Sequence, residues 1–176
     1  MIQMEIDPRQ LNFLIKLSKI PRNINEYKDR YNVIEFILHE LCHEECLNLK
    51  KAAYFIDNHD FDCLHGVVGI DTNEKFSHED IWQVPDQFSN YMKQLSFNNK
   101  VKELRTVSSK SFVQDELRYV KQLAQDLGMQ DVSCSVIPLR HDNKGVFVYE
   151  PQAQGCLEEH DILNGLNFLG LCPLLF

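Results

Sequence analysis

Apolar residues along this chain switch between two spacings, and each switch marks an element. Gln10–Leu17 carries apolar side chains at Leu11, Phe13, Leu14, Ile15 and Leu17, the pattern of a short amphipathic helix. Ile20-Pro21-Arg22-Asn23 predicts its end, because the residue before a proline is pushed out of helical backbone. A second helix is expected from Ile24 to Asn48, firm from Tyr31 onward. Its buried stripe is Ile34, Ile37, Leu38 and Leu41, spaced i, i+3, i+4, i+7.

The spacing then changes to that of extended chain. Lys51–Asp57 reads as a strand closed by the turn formers Asn58–Asp62, with Leu64–Ile70 as its hairpin partner. Ser77–Leu95 reads as helical, with Ser77 as N-cap and a break at Pro85. Val101–Val107 alternates like a half-buried strand, and Phe112–Leu127 predicts a helix stopped by Gly128. Two strands at Val132–Leu139 and Val146–Glu150 flank a polar turn, and a helix at 157–171 closes the chain. The expected class is α+β, a single domain over residues 1–176.

With 44% apolar and 25% charged residues, the composition is that of an ordinary globular protein. The net charge of -8, with only Lys50-Lys51 adjacent among the basic residues, removes the electrostatic footprint of a nucleic-acid binder. Met1–Gln10 carries Glu5, Asp7 and Pro8 where a secretory signal needs an apolar run, and Phe168–Phe176 is far too short to span a bilayer. A cytoplasmic protein without membrane contact is expected. Its six cysteines, Cys42, Cys46, Cys63, Cys134, Cys156 and Cys172, then read as free thiols.

One motif spells chemistry. His39-Glu40-Leu41-Cys42-His43 matches the zinc-hydrolase pattern, two histidines one turn apart with a glutamate to activate water. On a helical wheel, however, both histidines fall away from the Ile34, Ile37, Leu38, Leu41 stripe and should face solvent. Nothing marks a third ligand. Adding Cys42 and Cys46 does not help. Positions i and i+7 of one helix stand about 10 Å apart along the axis, whereas zinc ligands sit about 2.0–2.3 Å from the metal. No metal and no cofactor are expected.

Four segments carry a family resemblance: Leu11–Ile20 with Val33–Asn58; Cys63–Ile70, rich in Gly and Val; Val132–Pro151, a strand ending in Pro-Leu, a polar turn and an apolar strand; and Cys156–Leu171, a helix with an acidic start. Together they resemble a GAF domain, a sensory and binding module of the GAF/PAS type, over nearly the whole chain. The resemblance implies a central antiparallel sheet of five or six strands. It also implies terminal helices on one face and a helical crossover, residues 71–128, roofing the other. Cyclic-nucleotide binding in that family goes with an Asn-Lys-Phe-Asp-Glu signature. Here Asn73, Lys75, Phe76 and Asp80 keep the order at compressed spacing, and Ile81 stands where the glutamate belongs. The GAF-like free methionine sulfoxide reductases use pocket cysteines, but no motif of theirs surrounds Cys63 or Cys134.

The family's position for a pocket falls on the aromatic crossover, which points to Phe76, Trp82 and Tyr91 with Ser108, Ser109 and Ser133 as ligand-binding residues. Phe168, Leu171, Leu174 and Phe176 make an apolar C-terminus suited to a protein partner or a homodimer. The reading is a non-catalytic regulatory domain that binds a small molecule or protein and transmits through its terminal helices. The alternatives are a pure interaction module with a filled pocket, and an enzyme using either zinc at His39-Glu40-x-x-His43 or thiol redox chemistry.

Overall fold

The computed structural model describes residues 8–58, 60–77, 80–107, 115–152, 159–170 and 172. α1 (Pro8–Tyr27) and α2 (Val33–Cys42) precede the hairpin β1 (Leu49–Asn58) and β2 (Cys63–Asp71). A 3-10 turn (Ile81–Gln83), α3 (Pro85–Gln94), α4 (Ser96–Glu103), β3 (Arg105–Val107) and α5 (Glu116–Leu127) form the crossover. β4 (Ser133–Pro138), β5 (Lys144–Pro151) and α6 (Glu159–Gly170) complete the fold. No helix among the described residues is long and apolar enough to cross a membrane.

The sheet is antiparallel, and the expectation of five or six strands overcounts it. Four strands of six to ten residues build it in the order β2-β1-β5-β4. The only further member among the described residues is the three-residue β3, paired at Cys63–His65 on the outer edge of β2. Beyond that point α4 replaces a fifth strand. The Gly66 N–H donates to the Leu104 carbonyl at 3.0 Å, and the Gly69 N–H donates to Asn98 Oδ1 at 3.0 Å. A helix thus covers the edge that would otherwise expose unpaired backbone.

The expected placement of the helices is corrected as well. Alternation along β1 and β5 sends Ala52, Tyr54, Ile56, Phe147 and Tyr149 to one face and Ala53, Phe55, Val146 and Val148 to the other. α1, α2 and α6 cover the first face, as the resemblance implies. The crossover divides: its first half (Ile81, Trp82, Phe88, Met92) packs on that same face, and among the described residues α4 and α5 cover the second. Phe36 on α2 explains the split, with Trp82 at 4.8 Å and Phe88 at 4.6 Å between ring centroids. A bulge where Tyr54 faces Val68 and Phe55 faces Gly66 leaves Val67 as the extra residue, packed against the first-face core.

Of three local expectations, one fails, one holds in part and one is met. α1 runs unbroken for 20 residues with Pro21 inside it. Burial of Phe13, Leu17, Ile20 and Ile24 on one stripe offsets the roughly 3 kcal/mol cost of an internal proline. Val101–Val107 divides: Val101–Glu103 ends α4, because Phe97 and Val101, one turn apart, seat against Gly69 and Gly66, and Arg105–Val107 is strand. The break expected at Pro85 is present: the 3-10 turn ends at Gln83, and the proline opens α3 at its first helical position, where its missing N–H costs nothing.

Gly128 ends α5 as expected, in left-handed backbone at φ +64°, with its N–H bonded to the Ala124 and Gln125 carbonyls. A Cβ there would meet nothing within 4 Å, so the cost of a side chain is conformational alone. Gly128→Ala is expected to destabilise the fold by about 1 kcal/mol, and Gly128→Asn by less. Urea titration of the two variants checks the ranking.

Candidate functional site

A cavity of about 440 Å³ opens on the first face, between the C-terminal end of α2 and the segment joining β2 to α3. Leu49 and Ile70, at the start of β1 and the end of β2, supply apolar surface. Phe76, Tyr91 and Leu95 form one wall, and His39, Cys42 and His43 the wall opposite. Asp71, Glu74 and Lys75 bring charge to it.

The aromatic wall is built as a cluster. Phe76 lies 4.9 Å from Tyr91 and 5.4 Å from Phe88, edge-on to the latter. The Tyr91 hydroxyl donates to the Glu74 carbonyl, tying α3 to the loop. Burial raises the Tyr91 phenol to about 12, with the nearby Glu74 and Asp71 carboxylates adding to the shift, so it remains a donor at neutral pH.

The opposite wall corrects the expectation of two solvent-facing histidines. α2 is buried nearly all round, from Val33 to Leu38 and again at Leu41 and Cys42, because α1 and α6 pack against it beside the sheet and Phe88 of α3 closes on Phe36 and His39. His39 is therefore half-buried, its ring edge-on to Phe88 at 5.0 Å. Loss of solvation, reinforced by the nearby His43 and Lys16, lowers its pKa from 6.5 to about 4. It is neutral at pH 7 and available as a donor or acceptor.

A pH dependence follows. Unfolded chain takes up a proton at His39 near pH 6.5, whereas the folded protein resists it until about pH 4. The contribution of His39 to stability is full above pH 6.5 and is lost progressively as pH falls toward 4. The fall in stability from pH 7 to 5 is expected to be shallower in His39→Gln than in the parent chain. Guanidinium titrations of both proteins at the two pH values test this, and equal slopes would exclude it.

His43 is held differently. Lys16 of α1 places its ammonium 3.0 Å from His43 Nδ1, and the Glu45 N–H approaches the same nitrogen at 3.3 Å. An ammonium only donates, so Nδ1 accepts and the ring proton sits on Nε2. Lys16 also lies 3.7 Å from Glu40 and 3.1 Å from Glu45. The glutamate and second histidine of the zinc-like motif are thus engaged by an internal cation. Among the described residues no three His, Cys, Asp or Glu side chains come together as a metal site.

The cysteines show the same restraint. Cys42, Cys46, Cys63, Cys134 and Cys172 form no disulfide, and Cys156 lies outside the described residues. Burial pushes Cys46, Cys134 and Cys172 up to about 12 and raises Cys42 further, which keeps all four as weakly nucleophilic thiols.

Of the residues the sequence points to, the structure brings Phe76 and Tyr91 to the cavity. Trp82 is elsewhere, buried between Phe36 and Tyr27, with its carbonyl accepting from the Tyr27 hydroxyl at 3.1 Å. Ser133 is exposed at the start of β4, apart from the cavity. Ser108 and Ser109 lie outside the described residues. Phe168 is half-buried against the first-face core, and Leu171, Leu174 and Phe176 lie outside the description. Glu74 was missed, and His39 and Cys42 were weighed only as metal ligands. The near-continuous apolar run Val33–Leu38 is the signal that could have found His39, since a helix apolar on all sides leaves no solvated face.

No protein-family model, curated protein or solved structure matches the chain.

Proposed function

We propose that this chain is a GAF-like regulatory domain that holds a small molecule in the cavity between α2 and α3, without catalysing a reaction on it, in the cytoplasm. The cavity carries the reading. Its volume lies within the range of small-molecule sites, and it combines an apolar and aromatic lining with a few polar groups, the usual composition of such sites. The absence of catalysis is supported by Lys16 occupying Glu40 and His43, and by the buried, protonated thiols.

Transmission runs through α2. One wall of the cavity is the end of this helix, and α1 and α6 both pack against it. A ligand that shifts the last turn of α2 therefore moves the surface on which both terminal helices rest. α1 leaves Leu11, Leu14 and Ile15 about half exposed, an apolar stripe suited to a protein partner or a second copy. That stripe also favours the second reading, an interaction module whose cavity is incidental.

Native mass spectrometry of the chain purified without additives, followed by thermal unfolding, separates the two. A sensor is expected to retain an organic molecule or to gain stability with one. At about 100 times Kd the gain is about 2.7 kcal/mol, or about 5–10 °C for a domain of this size. Tyr91→Ala is expected to abolish that gain. A ligand-free chain that self-associates, and becomes monomeric in Leu14→Glu, would establish the interaction module instead.

A further inference from the structure

The two ends of the sheet are finished differently. α4 covers the outer edge of β2, where the Gly66 and Gly69 N–H groups bond to Leu104 and Asn98. β4 is the strand at the opposite end, and among the described residues the backbone of Ser133–Pro138 has hydrogen bonds to β5 alone.

The direction of its free groups follows from the adjoining turn. The Leu139 N–H donates to the Asn143 carbonyl at 2.8 Å, and an antiparallel ladder alternates bonded with unbonded positions. With Ser133 opposite Tyr149 and Pro138 opposite Lys144, it is Ser133, Ser135 and Ile137 that bond to β5. Cys134 and Val136 therefore aim both backbone groups outward. Pro138, with no N–H to give, ends the usable edge.

This edge lacks the usual deterrents to pairing. Val132–Leu139 contains no Asp, Glu, Lys or Arg, and no bulge interrupts its register with β5. Charge stands just outside it instead, Asp131 before the strand and Arg140 after it. Both are exposed, and neither enters an ion pair among the described residues.

We propose that β4 pairs antiparallel with β4 of a second copy of this chain, about a two-fold axis at Ser135, so that one sheet runs through both copies. Opposed residues of an antiparallel pair share a face. Centring on Ser135 sets Cys134 against Val136 of the second copy, both outward-facing, and the two exchange a pair of hydrogen bonds. The axis repeats that pair. Cys134 and Val136 are half-buried on the α5 face of the sheet, and each covers the other. At both ends Asp131 of one copy comes beside Arg140 of the other. Opposite charges at the two ends make the edge complementary to itself when reversed, which selects a second copy over an unrelated strand. The contact is independent of what the cavity holds.

Sedimentation equilibrium of the whole chain tests the proposal, and a concentration-dependent dimer is expected. Arg140→Glu gathers acidic groups at each end of the contact and Asp131→Arg gathers basic ones. Each is expected to weaken association at least tenfold, and the double variant to restore it. Far-UV circular dichroism confirms that the variants fold. Ser135→Cys fixes the register. Facing Cα atoms in an unbonded pair lie about 4.5 Å apart, inside the disulfide range of about 4.4–6.8 Å. Mild oxidation is expected to give a covalent dimer of Ser135→Cys, and none of the parent chain or of Ser133→Cys. A chain still monomeric at millimolar concentration would overturn the proposal and leave the edge to a strand of another protein. A dimer indifferent to both charge reversals, one that Ser135→Cys does not cross-link, or one dissociated by Leu14→Glu would place the contact elsewhere and overturn it equally.

Discussion

Gly66→Ala is expected to destabilise the fold by about 3 kcal/mol or more, with loss of cooperative unfolding if α4 detaches. A Cβ built on Gly66 stands 1.8 Å from the Val101 carbonyl oxygen and 2.6 Å from its carbon. Both are backbone atoms in the last turn of α4, so no side-chain rotation relieves the clash. The helix must move off the sheet. That movement loosens the bond from the Gly66 N–H to Leu104 and the seat of Val101, which is fully buried. It also uncovers the edge of β2 beyond β3. Urea unfolding followed by far-UV circular dichroism measures the cost. A variant within about 0.5 kcal/mol of the parent would mean that α4 does not pack on β2 as described.

Asn98→Leu is expected to cost about 2–4 kcal/mol, through hydrogen bonds rather than volume. Asn98 is fully buried on α4. Its Oδ1 accepts from the Gly69 N–H at 3.0 Å, and its Nδ2 donates to the Met92 carbonyl at 2.8 Å, near the C-terminal end of α3. Leucine keeps the branching and heavy-atom number of asparagine but satisfies neither group, and each buried group left unpaired costs about 1–3 kcal/mol. The neighbouring Asn99 provides the control. Its Nδ2 donates to the Lys93 carbonyl at 3.0 Å in an exposed setting, where water replaces it. Asn99→Ala is expected to cost no more than about 0.5 kcal/mol. Equal effects of the two substitutions would refute the assignment of Asn98 as the pin between α3, α4 and β2.

These two positions also mark where sequence reading gave out. The hairpin of β1 and β2 was legible because its apolar runs are bounded by the turn formers Asn58–Asp62. β4 and β5 were legible for the same reason, and α5 because Gly128 stops it. Residues 101–103 were misread because Val101, Glu103, Arg105 and Val107 alternate like a strand, which only Arg105–Val107 is. Phe97 and Val101 are also one helical turn apart, and the two spacings fit the same letters. The Gly66 and Gly69 surface, some thirty residues earlier, selects the helix by offering space only a close-packed helix fills.

The candidate site divides along the same line. Phe76 and Tyr91 were found because aromatics concentrate in the crossover, but Trp82 shares that signal and instead packs between Tyr27 and Phe36. His39 was assigned to solvent from one apolar stripe, whereas the whole circumference of its helix is apolar enough to be enclosed. Glu74 gave no signal, since an acidic residue in a polar loop is ordinary until Ser96 and Tyr91 fix it against the cavity.

The sequence alone determined the α+β composition, the strands that pair through short turns, the polar turn between β4 and β5, and the stop at Gly128. Each of these is settled by side chains a few residues apart. Tertiary structure decided that α1 passes through Pro21, that α4 caps an edge in place of a strand, that the crossover splits between two faces, and that His39 and Glu74 border one cavity. Apolar spacing reports that a face will be buried but carries no information on which surface buries it. That choice depends on shape and hydrogen-bond complementarity between segments distant in the chain.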